Sequence, residues 1–425
     1  MSARPVPGSS ARRVLLIGFL IFSIDGYDMF TMGTVGPALL AYAPWGATAA
    51  TLGTIAAVTG LGLPIGSMLA GWLSDRVGRR PPIVAAVGLV SVAMLLAAVA
   101  PNVVVFGIAR FVTGIGVAGL SPLVAALVSD HAPRSSRTLY LVVAYAAYGA
   151  GGAGSAFLGS VLLTRVHFQW LFLLGLLPLF LLWPLWRVLP GGGPVADRAR
   201  ASEVAASAPG PRELFAAPLR HATLLLWAAV FLSMSLIYST STWLPTVLMR
   251  NGYAMTSALQ FTVAFILGAS LGSIGLALLA DRGYLRAVTV GGFAAAAVVL
   301  AVLPFAREQS TLVVLLLCAI AGVGSLGGQA LVVACMVDFY PARLRGTAIG
   351  FGQGFGRLGA IVGPAYLAVM ITVLATPHAG FFAFALIAVL GAIVIALLPR
   401  RRSEEVGPDT GAQESSSNAP GQVAG

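Results

Sequence analysis

The sequence predicts an all-α membrane protein of twelve transmembrane helices, arranged as two six-helix pseudo-repeats. Three observations carry this expectation. Of the 425 residues, 58% are hydrophobic and only 9% charged, where a soluble domain carries about 25% charged residues. Apolar runs long enough to cross about 30 Å of hydrocarbon as a helix recur along the chain, unlike the short alternating segments of an outer-membrane barrel. Motifs of the first half also return in the second at a nearly constant offset.

The runs place helices at 14–40, 51–73, 82–100, 103–128, 138–163, 168–188, 221–248, 258–280, 286–305, 311–337, 346–373 and 379–399. The chain then divides into an N-terminus (1–13), a first half (14–189), a linker (190–220), a second half (221–399) and a tail (400–425). The linker is rich in Pro, Gly, Ala and Ser, and the tail is polar with little apolar content, the composition of a disordered segment. The first apolar run carries Asp25 and Asp28 and no convincing cleavage site, so it reads as a retained first helix rather than a signal peptide. Orientation follows from arginine. Of 25 arginines, 20 fall on the side of the two termini and 3 (Arg165, Arg250, Arg307) on the other; Arg110 and Arg357 lie inside spans. Positive loops stay inside, so both termini are expected in the cytoplasm.

The repeat is visible in three places. Asp75-Arg76 returns as Asp281-Arg282, an offset of 206, and Gly114-Ile115-Gly116 returns as Gly322-Val323-Gly324, an offset of 208. The helix end at Asp130-His131-Ala132-Pro133-Arg134 returns at the same 208 as Asp338-Phe339-Tyr340-Pro341-Ala342-Arg343. Parallel six-helix repeats place a substrate site between the halves near the midplane.

Composition also excludes chemistry. The chain has no lysine, so it holds neither a phosphate-binding Walker loop nor a Schiff-base lysine. Its +11 charge is spread over short loops, the pattern of membrane topology and not of a nucleic-acid groove. Cys318 and Cys335 are 17 positions apart in one run, roughly 25 Å along a helix and too far for a disulfide. His131, His167, His221 and His378 are scattered, with no metal-ligand spacing. No metal, cofactor or catalytic constellation is expected, and no nucleic-acid partner.

The motifs that remain concern charge inside a membrane. Gly71-Trp72-Leu73-Ser74-Asp75-Arg76-Val77-Gly78-Arg79-Arg80 joins the second and third helices. Its glycines allow a tight turn, Asp75 can cap a facing helix, and Arg76, Arg79 and Arg80 can pair with acids or phosphates. The echo at Asp281 and Arg282 favours a gating latch over an ordinary positive loop. Asp25 and Asp28 share a face of the first helix, and Asp25 lies 12 residues past Arg13, about 18 Å up the helix. A carboxylate at that depth is costly unless paired or facing water: the pair is either structural, neutralised by an arginine, or a proton or substrate site. Arg110 is the candidate partner. Arg357, in Gly356-Arg357-Leu358-Gly359, has a planar fork suited to a carboxylate; it either caps carbonyls near a kink or holds a substrate anion. Tyr238, Ser239 and Trp243 in the seventh helix offer rings and hydroxyls to an aromatic acid, or else an interfacial belt and small-residue packing. Gln329, Tyr145 and Tyr148 are further candidates to line the cavity.

Together, Asp25-Gly26-Tyr27-Asp28, the 71–80 loop, Arg110-Phe111-Val112-Thr113-Gly114-Ile115-Gly116, Trp243-Leu244-Pro245, Gly327-Gly328-Gln329, Phe339-Tyr340-Pro341 and Gly356-Arg357 resemble the aromatic acid:H⁺ symporter family of the major facilitator superfamily. The 4-hydroxybenzoate and benzoate transporters are its familiar members. The resemblance implies a transporter rather than an enzyme. It also implies import of an aromatic carboxylate with protons across a bacterial inner membrane, with Asp25, Asp28, Asp75 and Arg357 at positions important for transport. A monomer is expected. The family often has an asparagine one turn after the helix-10 glutamine, where this chain reads Ala330-Leu331-Val332-Val333; the loop at Asp281 also lacks the full Gly-Arg-Arg ending. A proton-coupled exporter and a membrane sensor without transport remain the alternatives.

Overall fold

The computed structural model describes residues 8–132, 137–189, 211–216 and 219–399. Residues 1–7, most of the expected linker and the tail from 400 lie outside the described residues. Twelve helical passes run through the described chain: α1 (Gly8–Ala41), α2 (Ala49–Val77), α3 (Arg80–Ala98), α4 (Val103–His131), α5 (Arg137–Leu162), α6 (Gln169–Val188), α7 (Arg220–Arg250), α8 (Met255–Leu279), α9 (Leu285–Val302), α10 (Thr311–Phe339), α11 (Ala342–Leu374) and α12 (Ala379–Ala396). The start of α1 and the end of α12 share one side of the molecule, called here the terminal side.

Among the described residues, ten stretches are individually long and apolar enough to cross a membrane. One of them, Met255–Phe305, is two passes, because the chain reverses between α8 and α9 at Gly283 with φ 91°. The remaining pass is α5, where glycines and tyrosines stand in place of much of the leucine and valine. Bulky apolar side chains such as Phe180, Leu271 and Val373 are exposed on the outside, the arrangement a helix needs in hydrocarbon.

Two departures from straight helices have sequence causes. The sixth pass is broken into Gln169–Leu174, a 3₁₀ turn at Leu177–Leu181 and Leu182–Val188. Gly175, Pro178 and Pro184 lie in it, and proline removes a backbone donor and clashes with the preceding turn. Interior prolines also mark α1 (Pro37), α2 (Pro64), α4 (Pro122), α7 (Pro245) and α11 (Pro364). These are the five helices that line the central cavity described below. Proline bends a helix at the freed carbonyl, and bent helices leave a space where straight ones would meet.

Helices α1–α6 pack on one another, as do α7–α12, and three pairs join the two bundles: α1 with α7, α2 with α11 and α5 with α8. Glycine makes these approaches close. A Cβ on Gly33 would land on the Ser241 carbonyl of α7, one on Gly60 would meet Ala360 and Ile361 of α11, and one on Gly149 would meet Ser270 of α8. Gly26 and Gly151 seat α1 against α5 in the same way, facing the Tyr148 and Ser23 carbonyls. These inter-bundle glycine contacts lie at mid-depth or toward the side opposite the termini, whereas Gly71, Gly346, Gly350 and Gly354, toward the terminal side, face open space.

Candidate substrate and proton site

The buried charges of α1 and α4 meet at mid-depth. Arg110 Nη1 donates to Asp28 Oδ1 at 2.5 Å and Nη2 to Asp28 Oδ2 at 3.3 Å, a two-pronged pair with both side chains almost fully buried. Fork geometry of this kind is what guanidinium offers and ammonium does not. The Arg110 guanidinium also lies over the Phe172 ring at 5.9 Å. Asp25, one turn nearer the terminal side, is equally buried but receives a neutral donor: Ser121 Oγ at 2.7 Å. The sequence pairs Arg110 with either carboxylate; the geometry selects Asp28 and leaves Asp25 without a bonded cation. Ser121 was not among the sequence candidates. Its signal is that it stands 11 residues after Arg110 on the same helix, about three turns and hence the same face.

A cleft opens between the bundles, lined by Asp28 and Arg110 together with Met29, Met32, Thr59, Leu63, Tyr238, Thr242 and Pro364 among others. Leu63 and Tyr238 form its apolar rim with Ala118 and Ala360, a small cluster apart from the main core. Arg357 sits at this rim. Its Nη1 reaches the Leu63 carbonyl across the bundle boundary at 3.4 Å, a long contact, and no carboxylate bonds it among the described residues. Asp25, Tyr238 and Arg357 are near enough to act on one another electrostatically, as are Tyr148, Asp25 and Tyr238. Four helices, α1, α5, α7 and α11, thus converge an acid, two phenols and a free-forked guanidinium.

The remaining sequence candidates divide. Tyr148 hydrogen-bonds the Met29 sulfur and packs edge-on to Phe30. Gln329 on α10 donates to Gln353 on α11 at 3.1 Å, one turn toward the terminal side from Arg357. Ser239 is buried against Gly363 of α11 and is away from the cavity lining. Trp243 is fully buried, and its indole nitrogen donates to the Pro364 carbonyl at 3.1 Å; its ring packs α7 on α11. The side chains of Asp75 and Tyr145 lie outside the described residues. Gly71 and Arg76 are exposed at the end of α2, with Arg76 over the Trp72 ring at 4.0 Å and Arg80 over the Trp186 ring at 4.3 Å. The α2–α3 reversal turns at Gly78, φ 83°, and Arg79 flanks it. The α8–α9 reversal turns at Gly283, where Asp281 and Arg282 are exposed. The degenerate second copy therefore keeps the left-handed glycine that a reversal requires and, with Asp281, Arg282 and Arg286, loses one arginine of the first copy's charge set. Two cysteines are free and buried, and no cluster of metal ligands occurs among the described residues.

Comparison with known proteins supplies the lineage. The family model described as Major Facilitator Superfamily matches residues 18–364 and 260–422. The chain is 34% identical to a gentisate transporter of Corynebacterium glutamicum, covering 92% of this chain and 89% of that protein. It is 30% identical to a benzoate transport protein of Acinetobacter baylyi, covering 93% and 91%. It is 31% identical to a gallate transporter of Pseudomonas putida, covering 82% and 83%. Among solved structures it superposes on the xylose transporter XylE from E. coli in an inward open conformation, with TM-score 0.74, 17% identity and coverage of 93% and 98%. A D-xylose–proton symporter gives TM-score 0.73, 18% identity and coverage of 91% and 98%. The resemblance to the aromatic acid:H⁺ symporter family read from the motifs stands on the full-length relatives as well, and the chain is a multi-pass membrane transporter that belongs to the major facilitator superfamily.

Proposed function

We propose that the protein is a proton-coupled symporter that imports an aromatic carboxylate across a bacterial inner membrane, as a monomer, with its terminal side in the cytoplasm. The observation that carries this reading is Arg357. It is a guanidinium at the boundary of the two bundles, with no acid bonded to it and with Tyr238 and Asp25 around it. A carboxylate substrate supplies the missing partner, and the phenol rings supply a face for an aromatic body. Relatives named for gentisate, benzoate and gallate support the substrate class, and the arginine asymmetry supports the orientation. On this orientation the conformation is inward-facing.

Coupling follows from competition for one cation. An ionised Asp25 attracts Arg357 and opposes a second anion beside it. A protonated Asp25 leaves the guanidinium to the substrate, so proton and carboxylate load together and leave together. Asp28 is less suited to this duty because Arg110 already engages both its oxygens. The test is uptake of labelled aromatic acids into proteoliposomes under an imposed pH gradient. The protein should accumulate substrate only when protons flow inward. Asp25→Asn should abolish accumulation yet still exchange labelled for unlabelled substrate at equal pH. Accumulation by Asp25→Asn at the normal level would remove Asp25 from coupling, and substrate extrusion driven by the gradient would reverse the assigned direction.

A further inference from the structure

We infer that Gln329 and Gln353 form a subsite for a ring hydroxyl, so that the transported acid carries a hydroxyl at the end of the ring away from its carboxylate. This rests on the reading of Arg357 as the carboxylate site. Gln329 Nε2 donates to Gln353 Oε1 at 3.1 Å. That bond leaves Gln329 Oε1 buried without a partner, and it leaves the Gln353 amide hydrogens with no protein acceptor assigned. Exchanging oxygen and nitrogen in both amides gives the same result with the roles swapped: one bond between them, one spare acceptor and one spare donor. A hydroxyl is the small group that donates and accepts at once, so it completes this pair in either assignment. A carboxylate, which only accepts, cannot satisfy the spare oxygen.

The placement matches the length of a hydroxylated aromatic acid. Gln353 precedes Arg357 by four residues, so the two side chains leave the same face of α11 from backbone positions about 6 Å apart along the axis. That is the span of a benzene ring with a carboxylate at one end and a hydroxyl in the meta or para position. An ortho hydroxyl stays beside the carboxylate and falls short. Space exists on this side: Gly354, next to Gln353, and Gly350, three residues before it, have no neighbour where a side chain would project. The ring would lie along α11 from the Leu63–Tyr238 rim toward the open side, with Gln329 reaching in from α10.

The alternative is that the two glutamines merely tie α10 to α11. Competition binding with benzoate and with 2-, 3- and 4-hydroxybenzoate, on the purified full-length protein, separates the two. The native protein should bind 3- or 4-hydroxybenzoate about tenfold more tightly than benzoate, the worth of one or two good hydrogen bonds, and should bind the 2-hydroxy isomer no better than benzoate. In Gln329→Leu, and independently in Gln353→Leu, the ratio should collapse toward one because the loss falls on the hydroxylated acids. Arg357→Gln should instead weaken all four acids together and leave the ratio in place. Equal affinities in the native protein, or equal losses for benzoate and hydroxybenzoates in both glutamine variants, would overturn the hydroxyl subsite. Undiminished binding of all four acids by Arg357→Gln would overturn the carboxylate reading beneath it, a different and separately visible result.

Discussion

The two ends of the α2–α11 contact have the same composition and opposite fates. Toward the side opposite the termini, Gly53 meets Ala368 and Pro364, and Gly60 meets Ile361 and Ala360, so close that a Cβ would not fit without a shift. Toward the terminal side, Gly71 on α2 and Gly346, Gly350 and Gly354 on α11 face open space. The register connects them. As α2 advances seven residues from Gly53 to Gly60, α11 retreats seven from Ala368 to Ile361, as antiparallel helices do. Leu63 and Arg357 touch next, close to that register. Continued at the same step, it would set Ser67 opposite Gly354 and Gly71 opposite Gly350. Helix interfaces in lipid are built from such small residues, because without a hydrophobic drive they depend on close packing. The open half is thus composed like a packed interface, and on the proposed function we infer that one stripe serves two contacts which form in alternation, pivoting near Arg357.

Breaking each half separately should give the largest effects. Gly350→Leu meets nothing in the present conformation, so folding stability should change by no more than about 0.5 kcal/mol, as for surface positions, and substrate should still bind from the terminal side. Closure of that side should be blocked, and net transport should fall below detection in proteoliposomes. Gly33→Val does the reverse. Its side chain would overlap the Ser241 carbonyl, and overpacking of this kind costs about 1–3 kcal/mol. The seal should open, making a cysteine placed at Thr242 reactive toward an impermeant thiol reagent added on the far side. Normal transport by Gly350→Leu, or a protected Thr242→Cys in the Gly33→Val background, would separate the stripe from the conformational change.

The next effect concerns what is held rigid while the halves move. Asp28 and Arg110 lie within one bundle, so their pair should persist in both states. Asp28→Asn leaves a buried guanidinium without its counter-charge, and truncating one partner of a buried pair costs about 3–5 kcal/mol. Thermal unfolding in detergent should show this loss, whereas Asp25→Asn, which removes no bonded cation, should be far milder. Equal destabilisation by the two would mean that Asp25 and Asp28 share Arg110 in solution.

Much of this was legible in the chain. Lipid demands helices of a set length with every backbone group satisfied internally, so the apolar runs located most passes to within a few residues, with the run at α5 diluted by glycine and tyrosine. That Arg110 meets a carboxylate of the first helix was legible because charge inside a span is rare and must find a partner, but the choice of Asp28 over Asp25 was not. Ser121 was not, because serines are common in such helices and only the crossing of α1 and α4 shows which one meets a carboxylate. Trp243 read equally well as a belt or a cavity wall and is neither, since an indole in an apolar run has the same sequence signature when it packs in the core. Its bond to Pro364 depends on how α7 crosses α11. The hydropathy of the 168–188 run hid the break in α6, because Pro178 and Pro184 sit among leucines and tryptophans and scarcely lower the average.

The smallest effect should come at the pivot itself. Arg357 touches Leu63 at 3.4 Å, too long to hold the bundles together, so its contribution to the closed half should be slight. Its fork is what a carboxylate would use. Arg357→Lys keeps the charge and loses the two parallel donors, and it should weaken binding of an aromatic acid by about 1–3 kcal/mol, read by isothermal titration or competition on the purified protein. The conformational balance should barely move, so the accessibility of a cysteine at Thr242 should match that of the native protein. Unchanged affinity with altered accessibility would invert the assignment. Arg357 would then be a tether between α11 and α2, and the anion site would have to be sought at Arg110, where a substrate carboxylate must compete with Asp28.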